Sequence, residues 1–303
     1  MDGDAALRRL VPYVPRLTLE WLRDEPQVRH RQLDGSVVFA DISGFTALSE
    51  RLASLGREGA EHLTDVIDAT FQHLLEGVYR EGGRLVFFGG DAVLLLFDGD
   101  DHARRAVRAA VALRRDLRAV ARHRTPRGSV TLRISQGVHT GVFDAYLVGS
   151  GHRQLMLAGP GISAVVAAEH EANAGQIVMS PQTAAEVPSG CSGEAREFGV
   201  LVARSPGGAA DPSWYAMHSA PLDETLLASA ERAVPVSLRS HVIDGNQLPE
   251  HRICAVGFLQ VLGLDEQRIG KPGFVDDLGA VVEVVDLALQ AEDYVLPEDE
   301  DEA

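Results

Sequence analysis

The chain has 303 residues and a formal net charge of −16, with 45% hydrophobic and 24% charged residues. Those proportions belong to an ordinary globular protein with enough apolar surface for a core, as one large or two modest domains. The acidic balance argues against a nucleic-acid partner, and no apolar run reaches the roughly 18 residues a bilayer span needs. The only cysteines, Cys191 and Cys254, lie far apart, so neither a disulfide framework nor a zinc site is expected. The N-terminus is acidic and lacks the basic-then-apolar order of a signal peptide, so the expected location is cytoplasmic, with no membrane partner.

Residues 1–35 read as a lead-in, with Leu7, Leu10, Val11 and Val14 at helical spacing and Trp21 and Leu22 placed to dock it. The strand-like run Ser36-Val-Val-Phe-Ala then enters Asp41 and Ile42, followed by a Ser43-Gly44-Phe45-Thr46 turn and a helical pattern from Leu48. A carboxylate at a strand end facing a helix N-terminus suits a cation, and the free N–H groups of that helix's first turn suit phosphate. Capping of the helix is the alternative role for such an Asp. A helical region over 46–80 carries Leu63, Val66, Ile67, Phe71 and Leu74 on one face and is divided near Gly56 and Gly59.

Residues 84–97 read as two strands joined by Gly89-Gly90-Asp91, glycines that tolerate a hairpin's positive φ. Apolar residues along both strands predict a central place in a sheet. Beside the first strand, the hairpin would bring Asp91 to Asp41. Two carboxylates next to an anion-binding turn suit one or two Mg²⁺ ions and a nucleoside triphosphate.

An arginine-rich helix follows over 101–122; its Arg104, Arg105, Arg108, Arg114, Arg115 and Arg118 could form a phosphate patch but are read as a solvated face. A strand over 130–139 is expected to form a hairpin with 142–148 through Thr140-Gly141. His139 beside that turn has no Ser or Cys nucleophile placed near it, so its expected role is structural. Gly159-Pro160-Gly161 opens a helix to about residue 170, followed by a strand over 176–180, a helix over 181–187 and a strand over 195–204. The order strand-helix-helix-strand-strand-helix-strand predicts an α+β, ferredoxin-like domain: a central, mostly antiparallel sheet with flanking helices.

The expected organisation is a lead-in over 1–35, a domain over 36–218, a linker over 219–249, a partial second domain over 250–296 and a solvated acidic tail over 297–303. The partial domain is read from an internal repeat. Val256-Gly-Phe-Leu-Gln260-Val-Leu-Gly-Leu264 aligns with Val37 to Phe45, and Leu278, Val281, Val282 and Leu289 align with Leu63, Val66, Ile67 and Leu74. Gln260 falls where Asp41 stands and cannot supply a carboxylate's charge.

Phe39-Ala-Asp-Ile-Ser-Gly-Phe-Thr46, with Gly90-Asp91 fifty residues later and Arg133 to Gly141 beyond, resembles the catalytic domain of class III nucleotide cyclases. The lead-in Pro12 to Leu22 resembles that of bacterial multidomain members with two cyclase domains in tandem. The resemblance implies two Mg²⁺ or Mn²⁺ ions at Asp41, Ile42 and Asp91, with triphosphate at Ser43, Gly44, Phe45 and Thr46. The implied reaction converts ATP, or less readily GTP, to the 3′,5′-cyclic nucleotide and pyrophosphate. The chain departs from the family at four positions: Phe87 and Met156 stand where purine-reading residues are expected, and Ser163 and Ala167 where a ribose-orienting Asn and a transition-state Arg are expected.

Sites of this class form between two domains. The implied partner is therefore a complementary cyclase domain, in a homodimer or as a completed second copy. A catalytically inactive pseudo-cyclase, serving dimerisation or nucleotide sensing, is the alternative. A different two-metal enzyme with a similar sheet fits the Phe39–Thr46 run least.

Overall fold

The computed structural model describes residues 3–125, 128–219, 224–235, 239, 242–243, 266–271 and 273–293. Helices α1 (Gly3–Leu10) and α2 (Arg16–Asp24) lead into strand β1 (His30–Ser43), which starts six residues earlier than the sequence pattern suggested. Helices α3 (Phe45–Ala53) and α4 (Arg57–Arg80) follow, divided where Gly56 takes a positive φ of 67°. Then come β2 (Arg84–Gly89), β3 (Ala92–Asp98) and helix α5 (His102–Val120). A small ribbon of β4 (Arg122–Thr125) and β5 (Gly128–Thr131) precedes the long strand β6 (Arg133–Val148). After it come β7 (Gln154–Ala158), α6 (Pro160–His170), β8 (Ile177–Met179), α7 (Pro181–Glu186), β9 (Ser192–Ala195) and β10 (Val200–Val202). Helices α8 (Pro212–Ser219), α9 (Glu224–Ala233) and α10 (Phe274–Asp293) complete the described chain.

The main sheet has the order β2-β3-β1-β6-β8-β10-β9, with β7 pairing the far half of β6. Every pairing is antiparallel except β6 with β8. The α+β architecture with a central sheet and flanking helices is therefore the one the element order predicted. Alternation along the central strands sends side chains to both faces. Val38, Ala40 and Ile42 pack with α3, α4 and α5 through Leu48, Leu52, Leu74, Val107 and Leu113. Val37 packs on the opposite face with α2 and α6 through Leu17, Trp21, Leu22 and Val165.

Four expectations need correction. The hairpin is not central: β2 is the outermost strand, with Phe87 48% and Phe88 42% exposed. Apolar content misleads there because α4 covers one part of the edge, Phe88 meeting Phe71 edge-on at 4.5 Å between ring centres. Thr140-Gly141 is not a turn, because β6 runs through it and Gly141 pairs with Gly35 of β1. Thr140 there is buried and bonded to Ser36 and Thr183 at 2.7 and 3.0 Å, which holds the strand straight. The expected strand over 195–204 is two short strands, β9 and β10, joined by a turn.

Finally, the α5 arginines are not all solvated. Arg105 is 4% exposed and donates to the carbonyls of Asp100, Glu81 and Asp98 while lying 4.4 Å over the Trp214 ring. This places Trp214 of α8 against the domain. Arg108 is held by Glu81 at 2.6 Å.

Helix α9, within the span read as a linker, packs on the lead-in by burying Leu226 and Ala230 against Leu10 and Leu19. Helix α10 packs Phe274 and Leu278 on Tyr146 and Val148 at the far end of β6. The aligned strand of the second copy, with Gln260, and the acidic tail lie outside the described residues.

Candidate active site

Three chain segments meet at one end of the sheet. Asp41 lies two residues before the end of β1, paired with Ala92 on one side and Ser135 on the other. Asp91 sits in the tight turn between β2 and β3, where Gly90 adopts a φ of 70°. The backbone N–H of Ile42 donates to the Asp91 carbonyl at 3.0 Å, which ties the turn to β1 beside Asp41. Gly44, with a φ of 92°, then turns the chain directly into α3. The first turn of α3 has no side-chain cap and no acidic residue, so its N–H groups remain available to an anion. Asp41 does not cap this helix.

The electrostatics of this corner are those of uncompensated negative charge. Asp41 is half-buried, and its carboxyl is held above the usual range by burial first, then by the charges of Asp91 and Glu169. Glu169 is a residue that sequence reading missed. It is 7% exposed on α6, with no periodicity to mark it off from an ordinary helix residue. It reaches β6 because Gly137 has no side chain: a Cβ there would stand 2.2 Å from the Val165 carbonyl oxygen and 2.5 Å from the Glu169 nitrogen. No basic side chain pairs with Asp41 or Asp91 among the described residues. Repelling carboxylates with no organic counter-charge fit divalent cations. Among the described residues no group of three or more His, Cys, Asp or Glu side chains is arranged to hold a metal, so the donor set would be the two Asp carboxylates with backbone oxygen, such as that of Ile42.

The other expected positions do not join this corner in one cavity. Phe87 is on the outer strand β2, whereas Met156 is on β7, with β3, β1 and β6 between them. Met156 packs with Phe274 and Leu278 of α10. Ser163 and Ala167 both lie on α6. A cavity of about 1060 Å³ runs along β2, lined by Phe87, Phe71, Tyr79 and the lead-in, but by neither Asp41 nor Asp91. The two carboxylates instead lie, half-buried, where the end of β1 and the starts of β3 and β6 meet the start of α3. Arg133 is a second missed residue. It pairs with Ser43 at the start of β6, accepts a bond from Ser43 Oγ at 3.3 Å through its carbonyl, and is exposed. Alternation along β6 places it on the same face as Ser135, opposite Asp41. His139, bonded through Nδ1 to Ser180 Oγ at 2.9 Å, is 8% exposed.

Fold and site define an α+β domain that presents an unneutralised pair of carboxylates beside a free helix N-terminus. The family model for the adenylate and guanylate cyclase catalytic domain matches residues 29–197, and the chain belongs to that family. It is 24% identical over 184 residues to adenylate cyclase type 10 of Mus musculus, covering 59% of this chain and 11% of that protein. The Homo sapiens protein of the same name is 24% identical over 152 residues, covering 49% and 9%. The chain thus spans about a tenth of the length of the curated relatives it matches. Among solved structures, a bacterial light-regulated adenylyl cyclase matches with a TM-score of 0.53 at 15% identity, over 74% of this chain and 66% of that one, which shows the fold. The guanylate cyclase domain of RhGC from Catenaria anguillulae, solved with GTP, gives a TM-score of 0.47 at 21% identity over 56% and 94%.

Proposed function

We propose that this chain is the cation-binding half of a two-domain nucleotide cyclase that converts ATP, in preference to GTP, to the 3′,5′-cyclic nucleotide and pyrophosphate. The observation that carries the reading is the convergence of Asp41 and Asp91 with no basic partner among the described residues, beside the uncapped start of α3. In the reaction the ribose 3′-oxygen attacks the α-phosphorus and loses its proton. The bond from the α-phosphorus to the bridging oxygen breaks, and pyrophosphate leaves. Two divalent ions, when bound, would favour the 3′-alkoxide and neutralise the triphosphate. Asp41 and Asp91 contribute the anionic charge that retains such ions. The N–H groups of Ser43, Gly44, Phe45 and Thr46 hold phosphate oxygens through the partial positive charge of the helix start. Arg133, two residues from Ser135 on the Asp41 face, supplies a cation for the outer phosphates.

Phe87, Met156, Ser163 and Ala167 carry neither base-reading polarity nor an arginine, so those functions come from a complementary domain over this end of the sheet. The adenylate cyclase names of the curated relatives support ATP as substrate. The same four residues favour a second reading, an inactive pseudo-cyclase that binds nucleotide or a partner domain. Cyclase assays with ATP and with GTP in Mn²⁺ separate the two, with an Asp41→Ala, Asp91→Ala double variant as blank. Product above the blank supports catalysis. Absence of product with Mn²⁺-dependent nucleotide binding fits the half-site and a nucleotide-sensing pseudo-cyclase alike, and product on adding a complementary cyclase domain then supports the half-site. Absence of both refutes the cyclase reading and leaves the pseudo-enzyme.

A further inference from the structure

Helix α5 carries six arginines, and their partners divide them sharply. Arg104 pairs with Asp101 at 3.6 Å, Arg108 with Glu81 at 2.6 Å and Arg115 with Asp116 at 2.7 Å. Arg105 is spent on backbone carbonyls and Trp214. Arg114 and Arg118 have no acidic partner among the described residues, and both line one cavity of about 410 Å³. In a chain of net charge −16, carboxylates are plentiful, so two guanidinium groups left unpaired on one helix turn stand out against the composition.

The cavity lies between the end of α5, the start of β6 and Gly175. Its floor is apolar, made by Leu117, Ala121, Leu132 and Ile134, all buried. Among the described residues, no Asp or Glu lines it. The Arg118 Nη2 atom lies 3.8 Å from where a Cβ on Gly175 would stand, so its guanidinium reaches over the opposite wall. Arg114 is four residues earlier, about 6 Å along the same helix face. Burial and the neighbouring charge of Arg118 both press Arg114 toward its neutral form, a tension an anion between the two would relieve. The volume falls within the range of about 300–1,000 Å³ usual for small-molecule pockets. A bare inorganic ion would leave the apolar floor unused.

We propose that Arg114, Arg118 and this floor form a binding site for a small organic oxyanion, whose carboxylate or phosphate bridges the two guanidinium groups while its apolar body rests on Leu117, Leu132 and Ile134. Arg133 also lines this cavity and so borders the Asp41 corner, but the apolar floor lies on the other side of the sheet: Ile134 faces α5, whereas Asp41 shares the opposite face with Glu169. It does not depend on the cyclase reading.

The test is calorimetric titration of the full chain, free of divalent ions, with phenyl phosphate, benzoate and inorganic phosphate, repeated on an Arg114→Gln, Arg118→Gln variant. Phenyl phosphate or benzoate should bind more tightly than inorganic phosphate, and the variant should lose at least about tenfold in affinity for the preferred one. Preference between the two names the oxyanion. On the unmodified chain, the same ligand should protect Arg114 and Arg118 from phenylglyoxal, read by peptide mass spectrometry, which keeps the test valid if the variant folds poorly. Absence of binding, binding unchanged in the variant, or equal labelling of both arginines with and without ligand would each overturn the proposal and return these residues to a solvated helix face.

Discussion

Replacing Gly137 by Ala tests how α6 is brought to the carboxylate corner. The new Cβ would stand 2.2 Å from the Val165 carbonyl oxygen, 2.5 Å from the Glu169 nitrogen and 3.0 Å from the Glu169 Cβ. Strand β6 cannot yield, because it is registered on β1 from His30 to Ser43 and held by β8 on its other side. The helix must therefore recede by about 1 Å before ordinary contact is restored. Overpacking of this kind costs about 1–3 kcal/mol, equivalent to a fall in Tm of roughly 2–10 °C. Gly190→Ala is the control, since nothing lies within 4 Å of a Cβ there and its φ is not positive. Thermal melts followed by circular dichroism read both. A Gly137→Ala chain that melts within about 1 °C of the parent would refute the close-packing account of α6.

Three further outcomes are expected. Asp41→Asn should raise metal-free stability by a few tenths of a kcal/mol after solvent screening, since the native carboxylate is opposed by burial, Asp91 and Glu169. Because its folded pKa is raised above 3.8, the parent gains stability as pH falls through that raised value, and the variant should lose this gain together with any Mn²⁺-induced rise in Tm. His139 has the opposite sign: burial holds its folded pKa below 6.5, so its contribution is complete above about pH 6.5 and is lost as pH falls through the lowered value. Urea midpoints of parent and His139→Asn should therefore converge on acidification; a constant gap would contradict this. Arg105→Met should cost about 2–4 kcal/mol, because the carbonyls of Asp98, Asp100 and Glu81 lose a charged donor. A urea midpoint unchanged from the parent would show that these bonds are replaced by water.

How legible each part was depended on how local its cause is. The Gly90-Asp91 turn, the break at Gly56 and the start of α3 after Gly44 were readable because each requires a backbone conformation that glycine reaches most easily. The α+β order followed from alternating periodicities, which are properties of ten or so consecutive residues. Thr140-Gly141 misread for the opposite reason. The same dipeptide serves a turn or a close strand pairing, and only Gly35 across the ladder decides for the pairing.

The sequence alone determined which residues bear charge, the turns at Gly44 and Gly90, and that Asp41 and Asp91 are each delivered to a strand end. Only the tertiary structure decided that β2 is an edge, that Glu169 stands near Asp41, and that Arg105 is buried while Arg114 and Arg118 have no acidic partner among the described residues. Burial and the charge around a group are sums over neighbours distant in sequence. They come into existence only when the sheet order is fixed.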